Sequence, residues 1–171
     1  DLLPSLLYVT NWWYIFRDVS YFDSFGPASP LTHIWSLGIE EQFYLIWPLL
    51  VILGFTFIKR KRFGVLVILT GVIVSACLMT FLYVPGEDPS RVYYGTDTRA
   101  FSLLLGAALA FVWPSQRLSK TVPRQASLVL ESVGISGLLL IIMLFLVTSE
   151  FDPIHYQGGM LLLSFNTTLV V

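Results

Sequence analysis

The chain has 171 residues, of which 56% are hydrophobic and only 12% charged, and its mean hydropathy is +0.76. Soluble domains carry about 25% charged residues, so this composition excludes an ordinary soluble domain and indicates a membrane protein. The formal net charge of −1 is uninformative about partners, and no nucleic-acid partner is expected. The single cysteine, Cys77, excludes an intrachain disulfide and a cysteine-based metal site, and no metal is expected.

Apolar runs separated by polar loops predict an all-α fold, a polytopic transmembrane helix bundle with about five spans. Residues 2–16 are predicted to be the end of a first membrane helix that finishes in an interfacial aromatic belt. Complete spans are expected at residues 31–58, 63–83, 97–113 and 128–148, and a last span begins near Met160. We expect the first and last spans to be truncated, so that residues 1–171 are part of one integral-membrane domain of a longer protein.

The positions of the cations predict the orientation of these helices. Seven of the ten lysines and arginines fall in two of the predicted loops: Lys59, Arg60, Lys61, Arg62, Arg117, Lys120 and Arg124. By the positive-inside rule both loops are cytoplasmic. The remaining three, Arg17, Arg91 and Arg99, then lie on the outer side. We therefore expect a multi-pass protein of the cell membrane, with residues 31–40 near the outer face.

One predicted helix, at residues 31–58, carries ionisable groups within an apolar run. At about 100° per residue, Glu40 and Tyr44 fall about 20° to either side of His33, whereas Trp35 and Gln42 point to the far side. Ionisable groups in a membrane helix are costly and mark a functional site by default. A carboxylate near a histidine can orient the imidazole or share its proton. The alternative is a polar pair that fixes helix packing.

His33, Glu40 and Tyr44 thus form a polar stripe on the helix, and some roles near it stay open. Glu41 lies about 80° away from His33 and either pairs with a cation on another helix or faces an outer aqueous cavity. Tyr44 is either a hydrogen-bond donor or a packing residue. Pro48 has no N–H for the carbonyl of Tyr44, so a kink is expected there.

A second polar stretch opens the helix predicted at residues 97–113. Thr96 is expected to be its N-cap, and Asp97 lies in the first turn, where the helix dipole favours a negative charge. Arg99 opposes that dipole, so we expect Glu40 or Glu41 to hold it. The alternative is an arginine that snorkels to the membrane interface.

Two segments resemble the acyltransferase 3 family of polytopic membrane acyltransferases: HIWSLGIEEQFYLIWP and YYGTDTRAFSLLLGA, which begin at residues 33 and 93. Together with LLPSLLYVTNWWYIF, which begins at residue 2, they make the likeness greatest to the membrane domain of bacterial peptidoglycan O-acetyltransferases. It implies transfer of an acetyl group from cytoplasmic acetyl-CoA to hydroxyls of an extracytoplasmic cell-wall glycan. It also implies an extracellular esterase-like domain and an earlier histidine-bearing helix, both outside this chain, so this fragment alone is expected to be inactive.

The resemblance and the polar pattern together give the candidate site. The expected catalytic residues are Glu40, His33, Arg99 and Tyr93, and the expected substrate-binding residues are Glu41, Tyr44 and Tyr94. Tyr93 or Tyr94 either belongs to an aromatic belt or relays the acetyl group, because a phenolate is a nucleophile once a base takes its proton. The alternatives are an acyltransferase for another surface polysaccharide or a lipid-linked sugar, and a transporter-like protein whose polar stripe lines a path.

Overall fold

The computed structural model describes residues 2–22, 31, 33–57, 60–114, 123–148 and 152–170. Within these ranges the chain is helical, with turns and bends between helices and no strand, so the all-α prediction is confirmed. The helices are α1 (Leu2–Leu6), α2 (Thr10–Phe16), α3 (Ile34–Phe57), α4 (Lys61–Leu82), α5 (Ser90–Tyr94), α6 (Thr96–Val112), α7 (Arg124–Val147) and α8 (Met160–Val170). A π-helical turn, His155–Gly159, leads into α8.

Three helical segments of the described chain are long and apolar enough to cross a membrane: Ile34–Gly54, Lys61–Leu82 and Arg124–Val147. Large apolar side chains such as Phe81 and Leu146 on these helices are more than 80% exposed, as expected for groups that meet lipid rather than water. The helices α6 and α8 are shorter, with 17 and 11 residues. The number of spans therefore stays a prediction.

The first apolar run is not one helix, which corrects the prediction for residues 2–16. Tyr8 adopts φ 54°, and the Val9 and Tyr8 amides donate to the carbonyls of Pro4 and Ser5 at 3.0 and 3.2 Å. This is the Schellman pattern that ends a helix, here with tyrosine in the left-handed position where glycine is usual. The chain then restarts as α2. The break leaves the Tyr8 carbonyl outside any helix, and a side chain of α3 bonds it.

The largest helix-to-helix contact joins α4 and α6. The buried apolar residues of this contact form a core together with α5 and the π-helical turn: Val72, Met79, Tyr83, Val92, Phe101, Leu105 and Tyr156. Ser75 is the polar member of this contact. Its hydroxyl donates to the carbonyl of Asp97 at 2.6 Å and accepts from the amide of Phe101 at 3.1 Å. It thereby bridges two backbone groups in the first turns of α6, so α4 holds the start of α6 directly.

The long helices begin or end within a few residues of their predicted bounds. The helix α3 continues through Pro48, although Pro48 has no N–H to donate to the Tyr44 carbonyl. The helix α7 begins at Arg124, directly after Pro123, because charged and polar residues extend a helix beyond its apolar segment without a large penalty. The short helix α5, within the predicted outer loop, was not anticipated.

Candidate functional site

The polar stripe of α3 lies on an exposed side of the helix. His33, directly before α3, is exposed, as are Glu40 and Tyr44, and the exposed fraction of Tyr44 is 58%. Glu41 is partly buried. No ion pair or side-chain hydrogen bond joins these four residues in the part of the chain that the structure describes. The exposure of His33, Glu40 and Tyr44 is compatible with the prediction that they lie on one side of the helix. Their chemical roles stay predictions.

The opposite side of α3 is buried and packs against the rest of the protein. Trp35 and Ile39 are each 5% exposed. They pack with Tyr14 of α2 and Tyr94 of α5 in a second core. Trp35 and Gln42 were expected to point to this packed side of α3. No residue on this side of α3 was predicted to belong to the functional site.

Five rings form an aromatic cluster at this position: Tyr14, Tyr21, Trp35, Tyr93 and Tyr94. The Tyr93 ring centroid lies 4.6 Å from that of Tyr21 and 5.0 Å from that of Trp35. The Tyr94 centroid lies 5.2 Å from Trp35 and 5.6 Å from Tyr14. Tilted and edge-to-face pairs at such distances contribute beyond the area that they bury. The cluster therefore fixes both tyrosines of the second motif against α2 and α3.

Arg99 lies against this cluster. Its Cζ is 4.9 Å from the ring centroid of Tyr93 and 5.7 Å from that of Trp35, within the range of a cation–π contact. Its Nη1 is buried and has no hydrogen-bond partner among the described residues. A buried cationic N–H without an acceptor is costly. An acceptor supplied by another part of the protein or by a substrate would remove that cost.

The expected ion pair between Arg99 and Glu40 or Glu41 does not form among the described residues, where Arg99 has no salt bridge. The reason is the helical phase. Arg99 approaches α3 on the side of Trp35, and Glu40 and Glu41 are five and six residues further on, about 140° and 120° around the helix. Aromatic faces, rather than carboxylates, accompany the guanidinium.

The electrostatic setting of the two tyrosines affects what they can do chemically. Burial raises the pKa of the Tyr93 phenol, although the neighbouring Arg99 acts in the opposite direction. Burial also raises the pKa of Tyr94, and the nearby Tyr14 adds to the effect. At neutral pH both are phenols. Either becomes a nucleophile only when a base removes its proton during the reaction.

A partly buried polar network, with Asn11 fully buried at its centre, joins α2, α3 and α6 beside the aromatic cluster. Gln42 Nε2 donates to the Tyr8 carbonyl at 2.7 Å and to Asn11 Oδ1 at 3.0 Å. Its Oε1 accepts from Thr96 Oγ1 at 2.7 Å and from Trp12 Nε1 at 3.3 Å. Sequence reasoning missed this network. The available signal was Gln42 and Asn11 themselves, two amides within apolar segments, where a polar group needs a partner.

Thr96 is not the N-cap of α6, which corrects the prediction. Gly95 occupies that position, and Thr96 is the first helical residue. Its hydroxyl donates to Gln42 and accepts from Asn11 Nδ2 at 2.8 Å. Asp97 lies in the first turn as predicted. There it forms a bidentate ion pair with Arg91, with N–O distances of 2.8 and 3.1 Å.

Gly95 allows this junction between α5 and α6 to close. A Cβ atom at position 95 would lie 2.4 Å from Arg91 Nη1 and 2.5 Å from Asp97 Oδ1. Such approaches are too close for any other residue without displacement of the ion pair. The guanidinium of Arg91 also lies 5.4 Å from the Trp12 ring centroid, so the junction is tied to α2 as well.

Other parts of the described chain offer less chemistry. No group of three or more histidine, cysteine or acidic side chains lies close enough there to hold a metal ion. A mostly apolar cavity of about 170 Å³ lies between α7 and α8, with His155 in its wall. Of the seven loop cations that predict the orientation, Lys59, Arg117 and Lys120 lie outside the described residues.

Comparison with known proteins extends over nearly the whole chain. The chain is 53% identical to the peptidoglycan O-acetyltransferase OatA of Listeria monocytogenes over 161 residues. The aligned region covers 94% of this chain and 26% of that protein. The chain is 46% identical to the putative peptidoglycan O-acetyltransferase YrhL of Bacillus subtilis, over 100% of this chain and 27% of that protein. A putative O-acetyltransferase of Staphylococcus aureus is 42% identical, again over 100% of this chain and 28% of that protein.

The chain thus spans about a quarter of the length of these curated relatives. No family model and no solved structure matches it. The likeness to named O-acetyltransferases agrees with the acyltransferase prediction, while membership of the acyltransferase 3 family stays a prediction.

Proposed function

We propose that this chain, residues 1–171, is part of a single integral-membrane acyltransferase domain that serves the O-acetylation of peptidoglycan. The observation that carries the proposal is the 53% identity, over 94% of the chain, to a relative named for this activity. The acetyl donor is cytoplasmic acetyl-CoA, and the acceptor is a hydroxyl of the cell-wall glycan outside the membrane. An extracellular esterase-like domain, outside this chain, completes the transfer.

Tyr93 and Arg99 form the centre of the proposed site. Tyr93, on the predicted outer side, is the relay that receives the acetyl group after it has crossed the membrane from cytoplasmic acetyl-CoA. Its phenol oxygen attacks the carbonyl carbon of the acetyl ester or thioester presented there, its proton passes to a base, and the alkoxide or thiolate of that donor leaves. A glycan hydroxyl, or a nucleophile of the esterase-like domain, then takes the acetyl group, and Tyr93 regains a proton. The buried, unpartnered Nη1 of Arg99 supports this assignment, since a donor next to the reacting phenol can stabilise the oxyanion that develops.

The exposed stripe of α3 supplies the remaining groups. Glu40 is the proposed catalytic carboxylate, with His33 as its partner near the outer face, and Glu41, Tyr44 and Tyr94 contribute to substrate binding. Because Glu40 lies on the side of α3 away from Arg99, the two residues act at different points of the site and not as an ion pair. The exposure of Glu40 and His33 leaves both accessible to a further helix or to an acceptor.

Mass spectrometry of muropeptides tests the reaction. Cells that lack the gene should lose O-acetyl groups from their peptidoglycan, and the full-length gene should restore them. An unchanged O-acetyl content would refute the proposed acceptor.

Single cysteines in the full-length protein test the orientation. Arg60→Cys should be protected from an impermeant thiol reagent in intact cells, whereas Asp88→Cys should react, and the opposite pattern would reverse the topology.

A further inference from the structure

The amide of Gln42 uses its full hydrogen-bonding capacity, and its orientation is fixed by its partners. The Tyr8 carbonyl can only accept, so it faces Nε2, and the Trp12 indole N–H can only donate, so it faces Oε1. A flip of the amide would break both bonds at once. Gln42 is therefore a rigid connector between three helices and not an adaptable surface group.

The network extends from Gln42 to the residues of the proposed reaction. Asn11 Nδ2 donates to the Tyr94 carbonyl at 3.1 Å as well as to Thr96 Oγ1. Thr96 stands three residues after Tyr93 and three before Arg99. The bonds to Thr96 and to the Tyr94 carbonyl thus hold the backbone on both sides of Gly95, where α5 ends and α6 begins.

We propose that Gln42 is a positioning residue for the acyl-transfer site: through Thr96 and Asn11 it sets the relative placement of the Tyr93 phenol and the Arg99 guanidinium. This inference rests on the proposed function. A displacement of about 1 Å in a catalytic group can cost about 100-fold in rate, so loss of the connector should affect turnover before it affects binding.

The fold offers an independent hold on α6, and this separates positioning from folding. Ser75 of α4 bonds the first turns of α6, and the apolar contact between α4 and α6 does not involve Gln42. We therefore expect variants of the network to insert and fold while the junction between α5 and α6 shifts.

The test uses the full-length protein, purified in detergent, with acetyl-CoA and peptidoglycan fragments. Gln42→Met and Thr96→Val remove the hydrogen bonds at nearly constant volume, and each should lower kcat at least ~30-fold with KM changed less than ~3-fold. Thr96→Ser, which keeps the hydroxyl, should recover most of kcat. The double variant Gln42→Met/Thr96→Val should be little worse than either single variant, because both changes break one connection.

Thr70→Val is the matched control for Thr96→Val. Thr70 is exposed on α4, and among the described residues its hydroxyl bonds only the Leu66 carbonyl of its own helix. The kcat of the Thr70→Val enzyme should therefore equal that of the native enzyme. Normal kcat in Gln42→Met would overturn the inference. So would a loss of activity in Thr96→Val that Thr96→Ser does not recover, or effects that multiply in the double variant.

A spectroscopic readout separates this inference from the proposed function. With fluorotyrosine at position 93, the 19F resonance should shift or broaden in Gln42→Met and Thr96→Val, and should return to its native position in Thr96→Ser. If that pattern appears but the native protein transfers no acetyl group to peptidoglycan, the proposed acceptor is wrong and the positioning role stands. An unmoved resonance would refute the positioning role, whatever the activity.

Discussion

The two sides of α3 carry polar groups of different kinds. The exposed side has the titratable residues His33 and Glu40, while the packed side has the half-buried neutral amide of Gln42, two helical turns after Trp35. A neutral amide can be satisfied completely by hydrogen bonds from neighbouring helices, so it can be buried within the fold. A carboxylate needs water, a cation or a proton. The difference indicates that one side of α3 organises the protein and the other is available for chemistry.

The largest effect is expected on the organised side, at the ring that faces Arg99. Tyr93→Phe keeps the aromatic contacts with Tyr21 and Trp35 but removes the phenol oxygen, so acetyl transfer by the full-length enzyme should fall by ~100-fold or more. Release of acetate and transfer to a glycan acceptor would both be measured. Tyr83→Phe is the control, because Tyr83 stacks on Tyr156 in the other core, with ring centroids 4.7 Å apart. Full activity of Tyr93→Phe would refute the proposed role of Tyr93 as the residue that carries the acetyl group.

A substantial effect is also expected on the exposed side. Glu40→Gln keeps the shape and removes the charge, and loss of a general acid–base group typically costs 10²–10⁴-fold, so we expect a loss of about 100-fold. The protein should still insert and accumulate, since Glu40 has no hydrogen bond or ion pair within the described residues. Acetylation and membrane abundance would be measured together for Glu40→Gln and Glu41→Gln. A silent Glu40→Gln beside an inactive Glu41→Gln would show that the wrong glutamate was assigned.

A pair of glycines in α3 tests the packed side through the stability of the protein. A Cβ at Gly38 would lie 3.0 Å from the Tyr8 carbonyl oxygen, whereas a Cβ at Gly54 would meet no atom within 4 Å. Gly38→Ala should therefore destabilise the protein by about 1–3 kcal/mol, while Gly54→Ala should be neutral or slightly stabilising. Thermal unfolding in detergent would compare them. Equal midpoints for the two variants would contradict the close approach of α3 to the Tyr8 carbonyl.

The smallest effect is expected at Asp88. Its carboxylate accepts hydrogen bonds from Ser90, the first residue of α5, and α5 carries the two tyrosines that pack against the buried side of α3. Partial burial would raise the pKa of Asp88, but hydrogen bonds from Ser90 and Ser20 outweigh it and hold that pKa below its usual 3.8. A lowered pKa in the folded state contributes stability above pH 3.8 that is lost as the pH falls through the folded-state value.

Asp88→Asn should therefore be slightly less stable than the native protein at pH 6, and the difference should shrink below about pH 4. Unfolding midpoints measured between pH 6 and pH 3 would show this convergence. Because Asp88 is exposed, the difference should be small at every pH. A gap that widens on acidification would mean that the carboxylate does not stabilise the loop.

The sequence by itself determined the helical class and the approximate positions of the long helices. Residues 63–83 and 128–148 were predicted, and Lys61–Leu82 and Arg124–Val147 are observed. An uninterrupted apolar run specifies a helix locally, because every backbone group is satisfied within the helix itself. The motifs at residues 33 and 93 also identified the two segments that the structure brings together, and the helical period placed Trp35 and Gln42 opposite His33 and Glu40.

Only the tertiary structure decided which side of α3 is packed and what surrounds Arg99. Charge complementarity suggested a carboxylate, but the helical phase brought the rings of Trp35 and Tyr93 to the guanidinium instead. The partner of the Tyr8 carbonyl and the role of Thr96 were also undetermined by local sequence. The Tyr8 carbonyl and the Thr96 hydroxyl each bond the side chain of Gln42, which is 34 residues from Tyr8 and 54 from Thr96. Hydrogen bonds between residues so far apart have no local periodicity, so they are specified only when the helices have packed.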